Sequence, residues 1–383
     1  MSTSTRTGFE LRRFEPLGGW DHPLPAGLNG TSTLVVAFGG SSLAAKSPAF
    51  EDLARAFPDS HVLGCSTSGE IHGAHLRDGG LSVAVVRFEK TTVRSASAPI
   101  RSAADSRLAG EHLAAQLAAP GLAAVLVYSD GLNVNGSELV RGLASALPQG
   151  TIITGALAGD GPDFRRTWVL HGGGPREKMA VAVGLYGSNL RVAHGSRGGW
   201  DPFGPQRIVT RSRGNVLFEI DGRPALELYK KYLGDRVSGL PATALLFPLT
   251  LLGDNARAPL VRTVLSIDEK TQSMAFAGDI PQHSRVQLMH ANLDRLTASA
   301  GAAAQQASTP LCGGPCLAIA VSCIGRRLVL GTRTEEELEA VFDELPRGSA
   351  LIGLYSYGEI APHGSCPCEL HNQTMTLTTI AEV

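Results

Sequence analysis

The chain lacks most of the features that would make its function easy to name. It has no long apolar run: stretches such as Leu81-Ser82-Val83-Ala84-Val85-Val86 are strand-sized, far below the ~20 residues that a membrane helix requires. It has no excess of positive charge. Lys plus Arg (34) balance Asp plus Glu (35) over 383 residues, and no basic run exceeds the pairs Arg165-Arg166 and Arg326-Arg327. Clustered cations are what anionic membranes and nucleic acids need, so no nucleic-acid or membrane partner is expected. Aromatics are scarce at 5%, and six cysteines are too few for a disulfide scaffold. Residues Met1 to Glu10 carry no apolar segment of the secretory kind, which predicts a cytoplasmic protein. Neither a Walker phosphate loop nor a Gly-x-Gly-x-x-Gly turn opens a helix, and Gly64 to Gly69 lacks the Gly-x-Ser-x-Gly spacing of a nucleophile elbow.

What is present is a folded-protein composition, 43% hydrophobic and 18% charged, and a unit that returns three times. The strand-like run Leu34 to Phe38 leads to a helix over Pro48 to Phe57, with Phe50, Leu53, Ala54 and Phe57 on one face, and then to His61-Val62-Leu63. Val125 to Tyr128, the helix Ser137 to Leu147 and Thr151 to Thr154 repeat the order. Leu317 to Val321, the helix Thr334 to Leu345 and Leu351 to Leu354 repeat it again. A proline follows each helix (Pro58, Pro148, Pro346). Two glycines then bracket a turn (Gly64 and Gly69, Gly155 and Gly159, Gly353 and Gly358), and an acid closes it: Glu70, Asp160, Glu359. The expected fold is α/β, with mixed sheets built from repeated βαβ-like units and the turn glycines supplying positive φ.

Paired strands are expected at Leu81–Phe88 with Val93–Pro99, and among Thr167–Leu170, Met179–Tyr186 and Leu190–Gly195. Further strands are expected near Ala244–Phe247, Arg262–Ile267 and Met274–Ala277, with helices over Ala225–Leu233 and Val286–Gln306. The punctuation at Gly214, Gly222 and Pro224 places a joint near residues 215 to 225, giving one domain over 30–220 and a second over 221–370.

Taken in order, Gly64-Cys65-Ser66-Thr67-Ser68-Gly69-Glu70-Ile71, Gly155-Ala156-Leu157-Ala158-Gly159-Asp160, Asp221-Gly222-Arg223-Pro224-Ala225, Tyr357-Gly358-Glu359-Ile360-Ala361-Pro362 and His371-Asn372-Gln373-Thr374 resemble the paired FIST N-terminal and C-terminal domains of bacterial signal transduction proteins. The likeness runs from about Leu34 to about Thr379. It implies a sensory module that binds a small ligand such as an amino acid. The chain shows no kinase, cyclase or helix-turn-helix output, so the resemblance implies a separate partner such as a histidine kinase. Some stand-alone members are described as haem-binding nitric oxide sensors, which makes a haem sensor the alternative and a hydrolase-like enzyme a third.

The glycine–acid turns are the candidate ligand site. Turn glycines present N–H groups to a carboxylate, while Glu70, Asp160 or Glu359 suits an ammonium. Ser66, Thr67, Ser68 and Gly69 extend the first turn, Gly159 belongs to the second, and Tyr357, Gly358 and Asn372 to the third. The competing reading is that the acids merely cap nearby backbone donors, and that Asn372 starts the last strand. Cys312 and Cys316, with three residues between them, and Cys366 and Cys368, flanked by His363 and His371, suit zinc, an iron–sulfur cluster or haem iron. Buried cysteines that only fill space are the alternative, and Cys323 reads as core. Cys65 is a candidate nucleophile only if a base lies beside it. His194 to Trp200 reads as a loop around a packed Trp, or as a lid.

Overall fold

A computed structural model describes residues 8–45, 47–240, 242–253, 259–311, 314–363 and 366–383. The first repeat runs through β1 (Phe9–Glu15), β2 (Gly19–Trp20), β3 (Thr33–Gly40), α1 (Pro48–Ala56), β4 (His61–Thr67), β5 (Glu70–His72), β6 (His75–Arg77) and β7 (Leu81–Arg87). The second holds β8 (Thr92–Pro99), α2 (Ser106–Leu117), β9 (Leu122–Ser129), α3 (Gly136–Ala146), β10 (Ile152–Leu157), β11 (Val169–His171), β12 (Gly174–Arg176) and β13 (Met179–Tyr186).

The third opens with β14 (Leu190–Arg197) and is then interrupted. The insertion contains β15 (Asp201–Arg213), β16 (Val216–Ile220), β17 (Arg223–Pro224), α4 (Ala225–Leu233), β18 (Leu249–Leu252), β19 (Leu260–Arg262), β20 (Val264–Asp268), β21 (Ser273–Phe276) and β22 (Arg285–His290). The repeat resumes with α5 (Leu293–Ser308), β23 (Leu317–Cys323), α6 (Ile324–Leu330), α7 (Thr334–Asp343), β24 (Ala350–Ser356), β25 (Gly358–His363), β26 (Cys366–His371) and β27 (Met375–Glu382).

Among the described residues these strands form four sheets. Each repeat centres its own sheet on a parallel pair: β3 with β4, β9 with β10, and β23 with β24. Each then gives its hairpin away. Strand β5 pairs with β24, β11 with β4, and β25 with β10, so the first repeat completes the third sheet, the second completes the first, and the third completes the second. The exchange is cyclic and gives the three repeats a threefold relation. The inner sheet faces share one core, to which Val36, Phe38, Tyr128, Val183, Ile319 and Leu354 contribute. Helix α1 covers the outer face of the first sheet, α2 and α3 that of the second, and α5 and α7 that of the third. The fourth sheet wraps α4 around a separate core that includes Val209, Leu226, Tyr229 and Phe276.

The repeated glycines have a cause that differs from the expected one. Gly64, Gly155 and Gly353 sit within parallel strands opposite Ala37, Val127 and Ala320. A Cβ there would lie 1.8, 1.7 and 2.0 Å from the carbonyl oxygens of those partners. Close approach of two backbones, rather than a left-handed turn, is what requires glycine at Gly64 and Gly353. Gly155 meets both demands, with φ 154°.

Several local expectations change in the fold. Strands β7 and β8 do not pair with each other: β7 pairs with β1 and β3, β8 with β13. Likewise β13 and β14 belong to different sheets. The short connections carry the chain from one repeat's sheet to the next instead of closing hairpins. Residues 286–290, expected within a helix, form a strand because both neighbours, β15 and β18, offer ladder partners. The helix begins only at Asn292, whose side chain caps it through Arg295 N. Ala242–Leu246 is a 3-10 turn, with the strand starting at Leu249. Trp200 is packed, 5% exposed, and its Nε1 donates to Gln373 O at 2.7 Å. No described helix is long and apolar enough to cross a membrane.

Candidate functional site

The three glycine–acid turns follow the C-terminal ends of β4, β10 and β24, and the cyclic hairpin exchange forces them together. Ser68 N donates to Tyr355 O at 2.7 Å, and Tyr355 N to Gly69 O at 2.9 Å. Gly159 N donates to Ser66 O at 3.0 Å, and Gly161 N to Ser68 Oγ at 3.0 Å. Tyr357 N reaches Leu157 O at 3.2 Å, while its hydroxyl donates to Asp160 Oδ1 and lies 2.8 Å from Gly161 O. One residue set from each repeat thus meets the other two.

The acids have different tasks. Asp160 accepts the N–H groups of Phe164, Arg165 and Arg166 at 3.0, 2.7 and 2.7 Å, which ties down the loop leading to β11. Phe164, held at φ 51°, stacks on Tyr357 with ring centroids 4.6 Å apart. Glu70 accepts from the Thr67 hydroxyl and from Gly80 N at 3.1 Å. Glu359 accepts from Ser356 Oγ at 3.0 Å and from Thr374 N and Oγ1 at 3.1 and 2.9 Å. The hydroxyl–carboxyl pairs Thr67/Glu70 and Ser356/Glu359 are therefore the same device in two repeats.

Burial pushes both carboxyls, Glu70 and Glu359, from the ordinary carboxylate range up to about 8, against hydrogen bonds that pull the other way. Raised acids bind protons in the folded state that the unfolded chain has already released. Their contribution to stability is complete below the ordinary carboxylate pKa and is lost as pH rises through about 8. We expect the urea midpoint to fall between pH 6 and pH 8.5, by an amount worth about 1 kcal/mol or more. The Glu70→Gln/Glu359→Gln variant, which cannot ionise there, should show a much flatter profile; an unchanged slope would contradict the assignment.

An open pocket with about 740 Å³ of empty space, its solvent-facing mouth included, lies at the meeting of the turns. Of the residues expected at a ligand site, Thr67, Ser68, Gly69, Glu70 and Asp160 line it. The others take supporting places. Ser66 Oγ accepts Trp168 N at 3.1 Å, Gly159 packs against Ser68, and Tyr357 braces Asp160. Gly358, Glu359 and Asn372 are buried and do not line this pocket. Asn372 follows β26, and neither side-chain amide atom has a hydrogen-bond partner. The lining also includes Ser41, Ser42, Asp78, Gly161 and Arg327, which sequence reasoning missed. In the sequence Arg327 stands out only as half of a basic pair, and Asp78 not at all.

The cysteine–histidine set is dispersed where it is described. Cys316 belongs to the core under α5 and α7, and Cys368 to the core under α2 and α3. His371 Nε2 lies 3.1 Å from Ala361 O. Cys312 and the side chains of His363 and Cys366 lie outside the described residues. Among the described residues no group of three His, Cys, Asp or Glu side chains converges as metal ligands. Cys65 lies in the central core, where burial pushes its thiol well above the usual value, the opposite of what a nucleophile needs.

The FIST N domain model matches residues 33–223 and the FIST C domain model residues 225–362. The junction between them falls at β17 in the fourth sheet. No curated protein matches the chain. Among solved structures, a cyanuric acid hydrolase from A. caulinodans is similar over 98% of each chain, with 8% identity and a TM-score of 0.37.

Proposed function

Because the chain belongs to the FIST family, a family of sensory domains associated with signal transduction and small-ligand sensing, and carries its N and C domains in order, we propose that the pocket at the three turns is its input site. The ligand is an amino acid or a similar small polar metabolite, and a separate partner such as a histidine kinase receives the output. The observation that supports this most is the composition of the pocket. It combines one guanidinium, from Arg327, with carboxyl groups and the hydroxyls of Ser41, Ser42, Thr67 and Ser68, drawn from all three repeats. Such a lining offers a guanidinium to a carboxylate, and the exposed Asp78 carboxylate with the hydroxyl oxygens to an ammonium. A ligand that touches all three repeats favours one placement of them over another. That difference is what a partner reads.

A ligand that binds the folded state alone stabilises it by mass action, by about 2.7 kcal/mol at a concentration of one hundred times Kd, and so raises the melting temperature. In a thermal-shift screen of the twenty amino acids, at least one should raise the melting temperature by several degrees and be recovered chemically unchanged. Glu70→Gln should diminish the response and Arg327→Gln should remove it. A response preserved in both variants would place the site elsewhere, and consumption of the ligand would make the protein an enzyme.

A further inference from the structure

Arg327 is the one cationic side chain among the described residues that line the pocket, and it is already engaged. Its Nη1 and Nη2 donate to Asp78 Oδ1 and Oδ2 at 2.8 and 2.7 Å, a two-pronged pair, and Nη1 also donates to Ser68 O. The guanidinium carbon lies 5.9 Å from the Tyr355 ring centroid, so its flat face is backed by an aromatic. The two partners are unequally exposed: the Arg327 side chain is 24% accessible, that of Asp78 64%. The cation is anchored while the anion hangs at the mouth.

The threefold relation sharpens this asymmetry. The residues following the first parallel strand of each repeat are Ser41 to Ala44, Asp130 to Asn133, and Ile324 to Arg327, and only the third set carries cations. The other acids of the pocket are committed. Asp160 is filled by three N–H groups and the Tyr357 hydroxyl, and Glu70 by Thr67 and Gly80. An anionic ligand group has one fitting partner, and Asp78 occupies it. A carboxylate fits the guanidinium fork in the same two-pronged geometry, and an ion pair with one exposed partner adds little to folding, so the exchange is easy.

We propose that Asp78 is a built-in stand-in for the carboxylate of the ligand: a free carboxylate entering the pocket takes Arg327 from Asp78. This rests on the pocket being the amino-acid site. Release of Asp78 frees the first residue of the turn Asp78–Gly80, while Gly80 stays held by Glu70 and by Gly40 N, so occupancy of the pocket is written into the start of the connection between β6 and β7. The site therefore selects for a carboxylate, and affinity is set by competition with an internal anion.

The test uses the full chain, wild type and Asp78→Asn, titrated calorimetrically with the amino acid that gives the largest thermal shift in either protein, and with its amide and its decarboxylated amine. Asp78→Asn keeps the side-chain shape at an exposed position, so its unliganded melting temperature should stay within a few degrees. We expect it to bind the amino acid about fivefold or more tightly than wild type, with no such gain for the amide or the amine. A wild type that binds weakly beside a strongly binding Asp78→Asn supports the proposal in its strongest form. Equal or weaker binding by Asp78→Asn, or an amide that gains as much as the acid, overturns the stand-in and leaves the amino-acid site intact. Silence of both proteins towards all twenty amino acids overturns the site and the stand-in together. Arg327→Lys in the Asp78→Asn background, which keeps the charge but loses the fork, should return the affinity to the wild-type level or below.

Discussion

Alanine at Gly64 should leave little or no folded protein. Its Cβ would be built 1.8 Å from Ala37 O, with the Ala37 carbonyl carbon at 2.7 Å, and both are backbone atoms in the centre of a sheet. No side chain can rotate away to make room. Relief requires β3 and β4 to separate, and that breaks the ladder over Leu34 to Gly40 and opens the shared core behind it. Overpacking of a buried site costs about 1–3 kcal/mol where side chains can adjust, and a backbone clash lies at or beyond the top of that range. The related variants Gly155→Ala and Gly353→Ala meet the same obstacle at 1.7 and 2.0 Å. All three should express insolubly or unfold at least several degrees below the wild type, an estimate from about 3 kcal/mol or more lost over a chain of 383 residues. Gly27→Ala is the control: no atom lies within 4 Å of its Cβ, and it should be near neutral. Soluble, normally melting protein from any of the three strand variants would mean that the parallel pairs are not built as described.

The second large effect belongs to the Arg326–Glu337 pair. Both side chains are fully buried, with Nε and Nη2 of Arg326 donating to Glu337 Oε2 at 3.1 and 2.7 Å. Ser322 Oγ and the Tyr355 hydroxyl donate to Glu337 Oε1 at 3.0 and 2.6 Å. Arg326 also reaches Gly198 O and, at 2.9 Å, Leu296 O. The pair joins α6 to α7, β23, β24, α5 and the segment after β14, and so fixes the helix that carries Arg327. Removing one partner leaves the other charge buried without compensation, a change that costs about 3–5 kcal/mol. Arg326→Met and Glu337→Met should each fall in that range by urea denaturation. The double variant should be clearly more stable than the sum of the two losses, because no lone charge remains. Additive losses would show that the two residues act independently. A stable Arg326 variant with weakened ligand response would show that the pair also aims its neighbour into the pocket.

The repeat was legible because proline and glycine report backbone constraints directly. Pro58, Pro148 and Pro346 mark the helix ends, and Gly64, Gly155 and Gly353 mark where two strands come too close for a Cβ. The pairing of strands was less so. Adjacency along the chain favoured hairpins between β7 and β8 and between β13 and β14, whereas the cyclic exchange sends each of those neighbours to another sheet. Alternating patterns report which face is buried and not against which strand. The fourth sheet shows the same limit: Val286 to His290 has strand partners on both sides only once residues 201–213 and 249–252 are in place.

At the site, the turns themselves were visible through their glycines and acids, including Glu70 and Asp160. Asp78 and Arg327 were not, since the contact that unites them spans 249 residues and neither stands in a recognisable motif. The alikeness of Glu70 and Glu359 was readable; the separation of Glu359 and Asn372 from the open pocket was not, because nothing local tells which of three related turns faces solvent.

The most direct test of the account is a calorimetric titration of the best-responding amino acid into the wild-type protein and into Arg327→Gln. The account predicts saturable binding at one site per chain in the wild type, and a loss of roughly one hundredfold or more when the guanidinium is removed. Binding that survives the substitution unchanged would contradict it.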